Sequence, residues 1–357
     1  MSKPNLKKTE MYKRGRLGEK QLEITNFKKV KEKVEKYYTQ NWPAYNQAKT
    51  QEKILAEKLL LELLDCIQER ESFSKSPYPV KEKIFIMFTY IYSGFSSRRA
   101  TSELILAKER GLIHDAPHFN TVLSFFRDSR MIKILFELVE ISAIPLAVIE
   151  NTAAVDSSGF TINNYERWFD IRTQKKIKKR DWIKLHLIVG PKTNVIMSLV
   201  ASEGTAADTK FLPELVKNAS RNFNIEEVSA DKAYPSKKNF EEIAKVGAVS
   251  FIPFKSNHKA NKNGSLWKTY YEFYYDNKEE FNKHYHQRSN VETAFGMIKK
   301  NYRNNLRTKS ADSQINELYI KCLCHNLSVL IQESFELKIE INFKKCCENY
   351  VAQADSL

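Results

Sequence analysis

The sequence predicts an α/β protein in which a mixed sheet, flanked by helices, follows an all-α N-terminal region. Three observations carry this. Before residue 150 the apolar residues recur at three- and four-residue steps, the period of an α-helix. From Asn151 onward, short alternating and β-branched stretches take over, separated by turn residues. Strands and helices then follow as β-β-β-α-β-α-β-α, the order of an α/β layer.

The chain opens with a basic arm over 1–50, which holds 13 Lys/Arg against 5 Asp/Glu and so carries more than half of the net charge of +15. Residues 18–38 mix Lys and Glu with few large apolar residues. They read either as a solvated face or as an arm lying on DNA phosphates. The region 51–150 is helical. Leu55, Leu59, Leu60, Leu63 and Ile67 set an amphipathic helix over 50–71, and a Ser/Pro loop over 72–79 precedes a second apolar helix over 80–92. The turn 93–97 offers Ser96 or Ser97 as N-cap for a helix over 98–110, which Gly111 ends. A further helix covers 119–127. Short helices joined by tight turns fit a helix-turn-helix, with Asn120, Thr121, Ser124 and Arg127 on its exposed, base-facing side; a small helical bundle has the same pattern.

The first strand, 153–156, is expected to end at Asp156. Strands over 183–189 and 195–200 are joined by the turn 190–194. A helix follows over 208–218 with Asp208 as its N-cap, then a strand over 227–230 ending at Asp231, a helix over 236–246 and a strand over 249–253. A Ser/Asn/Gly loop punctuated by Lys255, Lys259, Lys262 and Lys268 carries Trp267 and Tyr270. These rings are read as packing on the next helix rather than as platforms for bases, and Trp168 is likewise assigned to packing. One long polar helix covers 278–302. The residues after 332 form a C-terminal tail.

Composition excludes several classes. Hydrophobic residues make up 42% and aromatic residues 12%, enough for real cores, and 10 Gly with 10 Pro exclude collagen-like and low-complexity chains. The longest apolar run, 84–92, is far shorter than the ~20 residues a membrane span needs, and the N-terminus lacks the apolar core of a signal peptide. A cytoplasmic, nucleoid-associated protein is expected. Cysteines at 66, 322, 324, 346 and 347 are odd in number and read as reduced thiols. Cys322 and Cys324, beside His325, lie in an apolar helical run and read as small hydrophobes rather than zinc ligands. The basic balance makes a polyanion the first partner to consider.

Two acids at strand ends, Asp156 and Asp231, can point into one crevice if their strands are neighbours. A third, Glu292, sits with Tyr285, Arg288 and Lys299 at steps of 3, 4 and 7, which keep one face of a helix. A carboxylate between an Arg and a Lys suits a site that holds metal and phosphate together.

These residues resemble a known family. The pattern is similar to the DDE transposases of prokaryotic insertion sequences, in the group with the Tyr-x2-Arg-x3-Glu-x6-Lys signature. That signature is complete here in Tyr285, Arg288, Glu292 and Lys299. The family's first acid matches Asp156 in AVDSSGF and its second matches Asp231 in SADKAYPS. The resemblance covers about 151–332. It implies a ribonuclease H-like catalytic domain holding two Mg²⁺ ions, with Mn²⁺ able to substitute, on Asp156, Asp231 and Glu292. It also implies contacts to double-stranded DNA from Tyr285, Arg288 and Lys299; Lys232, and Asn120, Thr121 and Arg127 of the helix-turn-helix reading, are further candidates for DNA contact. The reaction implied is cleavage at element ends and transfer of the 3′-hydroxyl into target DNA by a dimer or larger assembly. The rivals are a metal-dependent nuclease without strand transfer and a non-catalytic DNA-binding descendant. Two departures stand out. Ala207-Asp208 replaces the family's frequent His-Asp pair, and only 60 residues separate Asp231 from Glu292, too few for a large insertion domain.

Overall fold

A computed structural model describes residues 41–67, 77–162, 182–260 and 265–354. The arm before residue 41, Trp168, Lys262 and residues 172–181, a stretch of the sequence rich in Lys and Arg, lie outside them. Helix α1 (Trp42–Leu64) starts well before the expected residue 50. The side chain of Asn41 accepts from the Ala44 amide at 3.2 Å, and Pro43 fits the first turn, so polar and proline signals start this helix before its apolar stripe begins. Helix α2 (Val80–Tyr92) lies where the sequence places it, and Gly94 turns the chain at a φ of 65°. Helix α3 (Ser97–Glu109) has Ser96 at its N-cap position, but that side chain makes no capping bond. Helix α4 (Phe119–Phe125) is capped by the His118 ring instead. Helix α5 (Arg130–Ala143) is absent from the sequence expectation, although Met131, Leu135, Leu138 and Val139 keep helical spacing and are buried.

The sheet follows: β1 (Thr152–Thr161), β2 (Trp182–Val189) and β3 (Ile196–Glu203), then α6 (Leu212–Asn222), β4 (Glu227–Ala230), α7 (Lys237–Lys245) and β5 (Val249–Phe251). Its strand order is β3-β2-β1-β4-β5. The pairs β1–β2 and β2–β3 are antiparallel; β1–β4 and β4–β5 are parallel. A five-stranded mixed sheet flanked by helices, behind an all-helical N-terminal region, is the ribonuclease H-like architecture.

Four elements correct the expectations. Strand β1 does not stop at Asp156 but runs five residues further, because its second half still pairs with β2. Residues Asp208–Lys210 form a 3₁₀ turn, and α6 begins only at Leu212, with Pro213 in its first turn. The Lys-rich loop contains α8 (Leu266–Asp276), whose N-cap Ser265 accepts from the Lys268 amide. The single helix over 278–302 is instead α9 (Lys278–Tyr285), a 3₁₀ turn (His286–Arg288) and α10 (Ser289–Tyr302).

Helix α11 (Ala311–Glu336) is buried along almost its whole length. It packs on α1, α2 and α5 and also on α10 and β3, so the helical region and the sheet share one continuous core from Ala48 to Cys346. Cys322 and Cys324 are fully buried in α11 as small hydrophobes, and the His325 ring bonds the Asn194 carbonyl at 2.8 Å. Helix α12 (Phe343–Ala354) closes the structure. A disulfide joins Cys66, just past α1, to Cys347 in α12. This corrects the reading of all five cysteines as free thiols; the pair is 281 residues apart in sequence, so only the fold brings it together. Among the described residues no helix is long and apolar enough to cross a membrane.

Candidate active site

The parallel ladder between β1 and β4 ends at the pair Val155 and Ala230. The next residue in sequence on each side is an acid, Asp156 still within β1 and Asp231 just past β4. The two carboxylates therefore leave the ladder side by side. Asp156 is not at a strand end, as the sequence suggests, but at the point where β1 loses its β4 neighbour. Its Oδ1 accepts from the Ser157 amide at 2.8 Å, and the Asp231 carboxylate accepts from the Ala233 amide.

The signature residues approach from the α9–α10 segment. One nitrogen of the Arg288 guanidinium donates to Asp156 Oδ2 at 2.9 Å and the other to Glu292 Oε1. Lys299 Nζ donates to Ser158 Oγ at 2.6 Å and lies over the Phe160 ring. Ser158 and Phe160 follow Asp156 at two-residue steps, so one face of β1 meets the acid, the Arg and the Lys in turn. Tyr285, at the end of α9, completes the group. The 3₁₀ turn interrupts the helix, yet Arg288 and Lys299 both reach β1.

Electrostatics tie these groups together. Burial pushes the Asp156 carboxyl above its ordinary range. The Ser157 amide and Arg288 pull it back, and the charges of Asp231 and Glu292 push it further up. Burial likewise raises the Tyr285 hydroxyl, with Arg288 opposing and Asp231 and Asp156 adding to the rise. Burial lowers the Lys299 ammonium. Such mutual repulsion among acids is what a cation relieves. Among the described residues no three His, Cys, Asp or Glu side chains stand together as a metal group. Here Arg288 is the cation, bridging Asp156 and Glu292. The donors are all hard carboxylate oxygens, which suits Mg²⁺ or Mn²⁺ rather than a soft metal.

The family model of the transposase DDE domain matches residues 149–327. The chain belongs to this family. The matched segment of the transposase DDE domain takes in every residue from Asp156 to Lys299. Its function is that of a transposase, its partner is DNA, and its family generally works with divalent metals. No solved structure matches the chain.

The remaining candidates fall outside this group of acids and cations. Lys232 is exposed beside Asp231. Asn120, Thr121 and Arg127 belong to the helical region, on and just past α4, with Asn120 and Arg127 exposed and Thr121 half-buried. Asp208 is no N-cap, which corrects the sequence reading. Its carboxylate accepts from Lys184 Nζ at 2.9 Å and lies 3.8 Å from the His186 ring. Burial holds the His186 imidazole down at about 4, with Asp208 opposing. Trp267 and Tyr270 do pack, but not on the signature helix. Tyr270 stacks on Phe240 of α7, and Trp267 stands edge-on to Phe254 and donates to the Lys259 carbonyl at 2.9 Å. Sequence reasoning missed Ser158 and Tyr234. The two-residue period of a strand signals Ser158. Tyr234, three residues after Asp231, is buried, and burial followed by the charges of Asp156, Asp208 and Asp231 raises its hydroxyl.

Proposed function

We propose that this chain is the transposase of a prokaryotic insertion sequence, of the Tyr-x2-Arg-x3-Glu-x6-Lys group, that cuts the ends of its element and joins the 3′ ends to target DNA. The observation that carries the reading is the departure of Asp156 and Asp231 from the last rung of one ladder, with Glu292 linked to Asp156 through Arg288. Asp156, Asp231 and Glu292 would hold two Mg²⁺ ions, or Mn²⁺ in their place. When bound, such a pair activates an attacking water or 3′-hydroxyl and stabilises the leaving oxygen of a phosphodiester.

The chain's own residues supply the rest. Arg288 balances the charge of Asp156 and Glu292 in the DNA-free protein, and its fork suits a phosphate equally. Lys299 and exposed Lys232 add phosphate contacts that position the strand without reading sequence. Tyr285 contacts the terminal nucleotide or its phosphate. No Ser or Tyr nucleophile is needed, because water and then the freed 3′-hydroxyl attack directly. The catalytic domain spans 151–332, and the segment 333–357 that follows carries the end of α11 and helix α12, not a loose tail. The helices of 51–150 bind element ends through Asn120, Thr121 and Arg127, and the basic arm over 1–50 lies on the duplex. Two ends must meet one target, so the working form is a homodimer or larger assembly on nucleoid DNA.

The test is strand transfer in vitro. Purified protein meets labelled DNA from both flanks of its own gene with Mg²⁺ or Mn²⁺, beside Glu292→Gln. Joined products from the wild type alone are expected. Cleavage without joining would make the protein a nuclease. DNA binding with neither activity would make it a non-catalytic descendant.

A further inference from the structure

Behind the acids lies a second charged group that the reaction does not use. Glu317 and Lys321 of α11 are 0% and 1% exposed, one helical turn apart, with 3.2 Å between charged atoms. Taking two full charges out of water costs several kcal/mol each by general estimates, so such a pair needs hydrogen bonds as well as a partner. All of those bonds go to one segment, the connection after α10. Lys321 Nζ donates to the carbonyls of Asn305 at 2.8 Å and Arg303 at 3.3 Å. The Glu317 carboxylate accepts from the amides of Arg307 at 2.9 Å and Thr308 at 3.0 Å, and from the Thr308 hydroxyl at 3.0 Å.

That connection touches three other parts of the molecule. It clips the far end of β1, where the Leu306 amide donates to the Thr161 carbonyl at 2.9 Å and Asn305 bridges Thr161. It begins where α10 ends, with Arg303 forced to a φ of 71°. It also grips the turn between α2 and α3. The Arg307 guanidinium stacks 3.9 Å over the Tyr90 ring and donates to the carbonyls of Tyr90 and Phe95, while Arg303 donates to the Gly94 carbonyl. In the core, Phe160 of β1 lies under both Lys299 of α10 and Lys321 of α11.

From this we infer that Glu317, Lys321 and Thr308 are positioning residues, which fix the spacing between the strand bearing Asp156 and the helix bearing Glu292 by holding the 303–308 connection against both. The inference rests on the proposed role of those two acids in holding a divalent cation. A purely apolar contact here would bury the same area but would not fix the register of the connection, because only directional hydrogen bonds select particular carbonyls and amides.

The test separates positioning from stability. The double variant Glu317→Gln, Lys321→Met removes both charges at once, which spares the core an unpaired ion. Full-length protein is titrated with Mn²⁺ alone and followed by thermal unfolding, then assayed for Mn²⁺-dependent cleavage of element-end DNA. The metal-free double variant is expected to melt within a few degrees of wild type, while the half-saturating Mn²⁺ concentration rises about tenfold in both readouts, the scale seen when an outer support of a metal site is lost. A metal response equal to that of the wild type would overturn the proposal. Should the double variant fail to fold, the isosteric Thr308→Val carries the test: it removes one donor to Glu317 and is expected to raise the half-saturating concentration about twofold to threefold. Wild-type behaviour of that variant would overturn the proposal too. If the wild type itself shows no Mn²⁺ response, the inference falls together with the proposed function.

Discussion

The two halves of β1 have opposite surroundings. Residues 152–155 are buried, pair with β4 and, from Ala154, also with β2. Of the sheet strands, residues 156–161 pair with β2 alone, with Thr161 also bridged to Asn305; four of them are half-buried and Gly159 is exposed. The first half meets the needs of a core strand, and its side chains are apolar but for Thr152. The second half has lost one neighbour, and the space that β4 leaves is where Arg288 and Lys299 reach in. One strand thus supplies the rigidity and the opening of the site together. Asp156, the acid proposed to hold metal, sits on the first residue past the doubly paired segment, where the backbone is still held but the flank is free.

This contrast makes specific claims. The largest effect belongs to the open half. Asp156→Asn is expected to lower DNA cleavage by roughly a thousandfold, with Tm unchanged or slightly raised, since it removes a half-buried charge among like charges. Single-turnover cleavage and a melting curve on the same preparation check it, and a fall in Tm of many degrees would place Asp156 in the core instead. The closed half behaves in the opposite way. Ile188, directly across from Val155 and 0% exposed, should on truncation to Ala cost about 2–5 kcal/mol of stability, with cleavage per folded molecule preserved. Denaturant unfolding measures it; a loss of turnover without a loss of stability would blur the division.

The smallest effect depends on pH. Burial holds the His325 imidazole down at about 4, against about 6.5 in the unfolded chain. Below pH 6.5 the unfolded state therefore binds the proton first, and stability falls as pH falls. Between pH 6.5 and 5 this one group accounts for roughly 1–2 kcal/mol. His325→Gln should flatten that slope, which unfolding curves at both pH values would reveal as a smaller difference than in the wild type.

Much of this was legible because the informative patterns are local. Helix α2 and strand β4 lie where periodicity places them, and the helical spacing of Tyr285, Arg288, Glu292 and Lys299 survives the 3₁₀ turn well enough for two of them to meet β1. What was not legible depends on neighbours distant in sequence. Asp-Ser-Ser-Gly after Val155 has the composition of a turn, and only pairing with β2 keeps it extended. Asp208 looks like a cap from its place before a helix, but Lys184, 24 residues away in sequence, claims its carboxylate. Helix α8 hides in an aromatic, Lys-dotted stretch whose partners, Phe240 of α7 and Phe254 of the loop after β5, lie outside it. The buried pair of Glu317 and Lys321 reads in sequence as an ordinary exposed i,i+4 match.

The link between Cys66 and Cys347 also changes what a broken backbone means for this molecule. It closes a covalent ring around the whole sheet and both acid-bearing strands. A protease that cuts once anywhere inside that ring opens it without separating anything. The nicked chain should migrate as a single full-mass species on a denaturing gel and fall into two pieces only when a reductant is added.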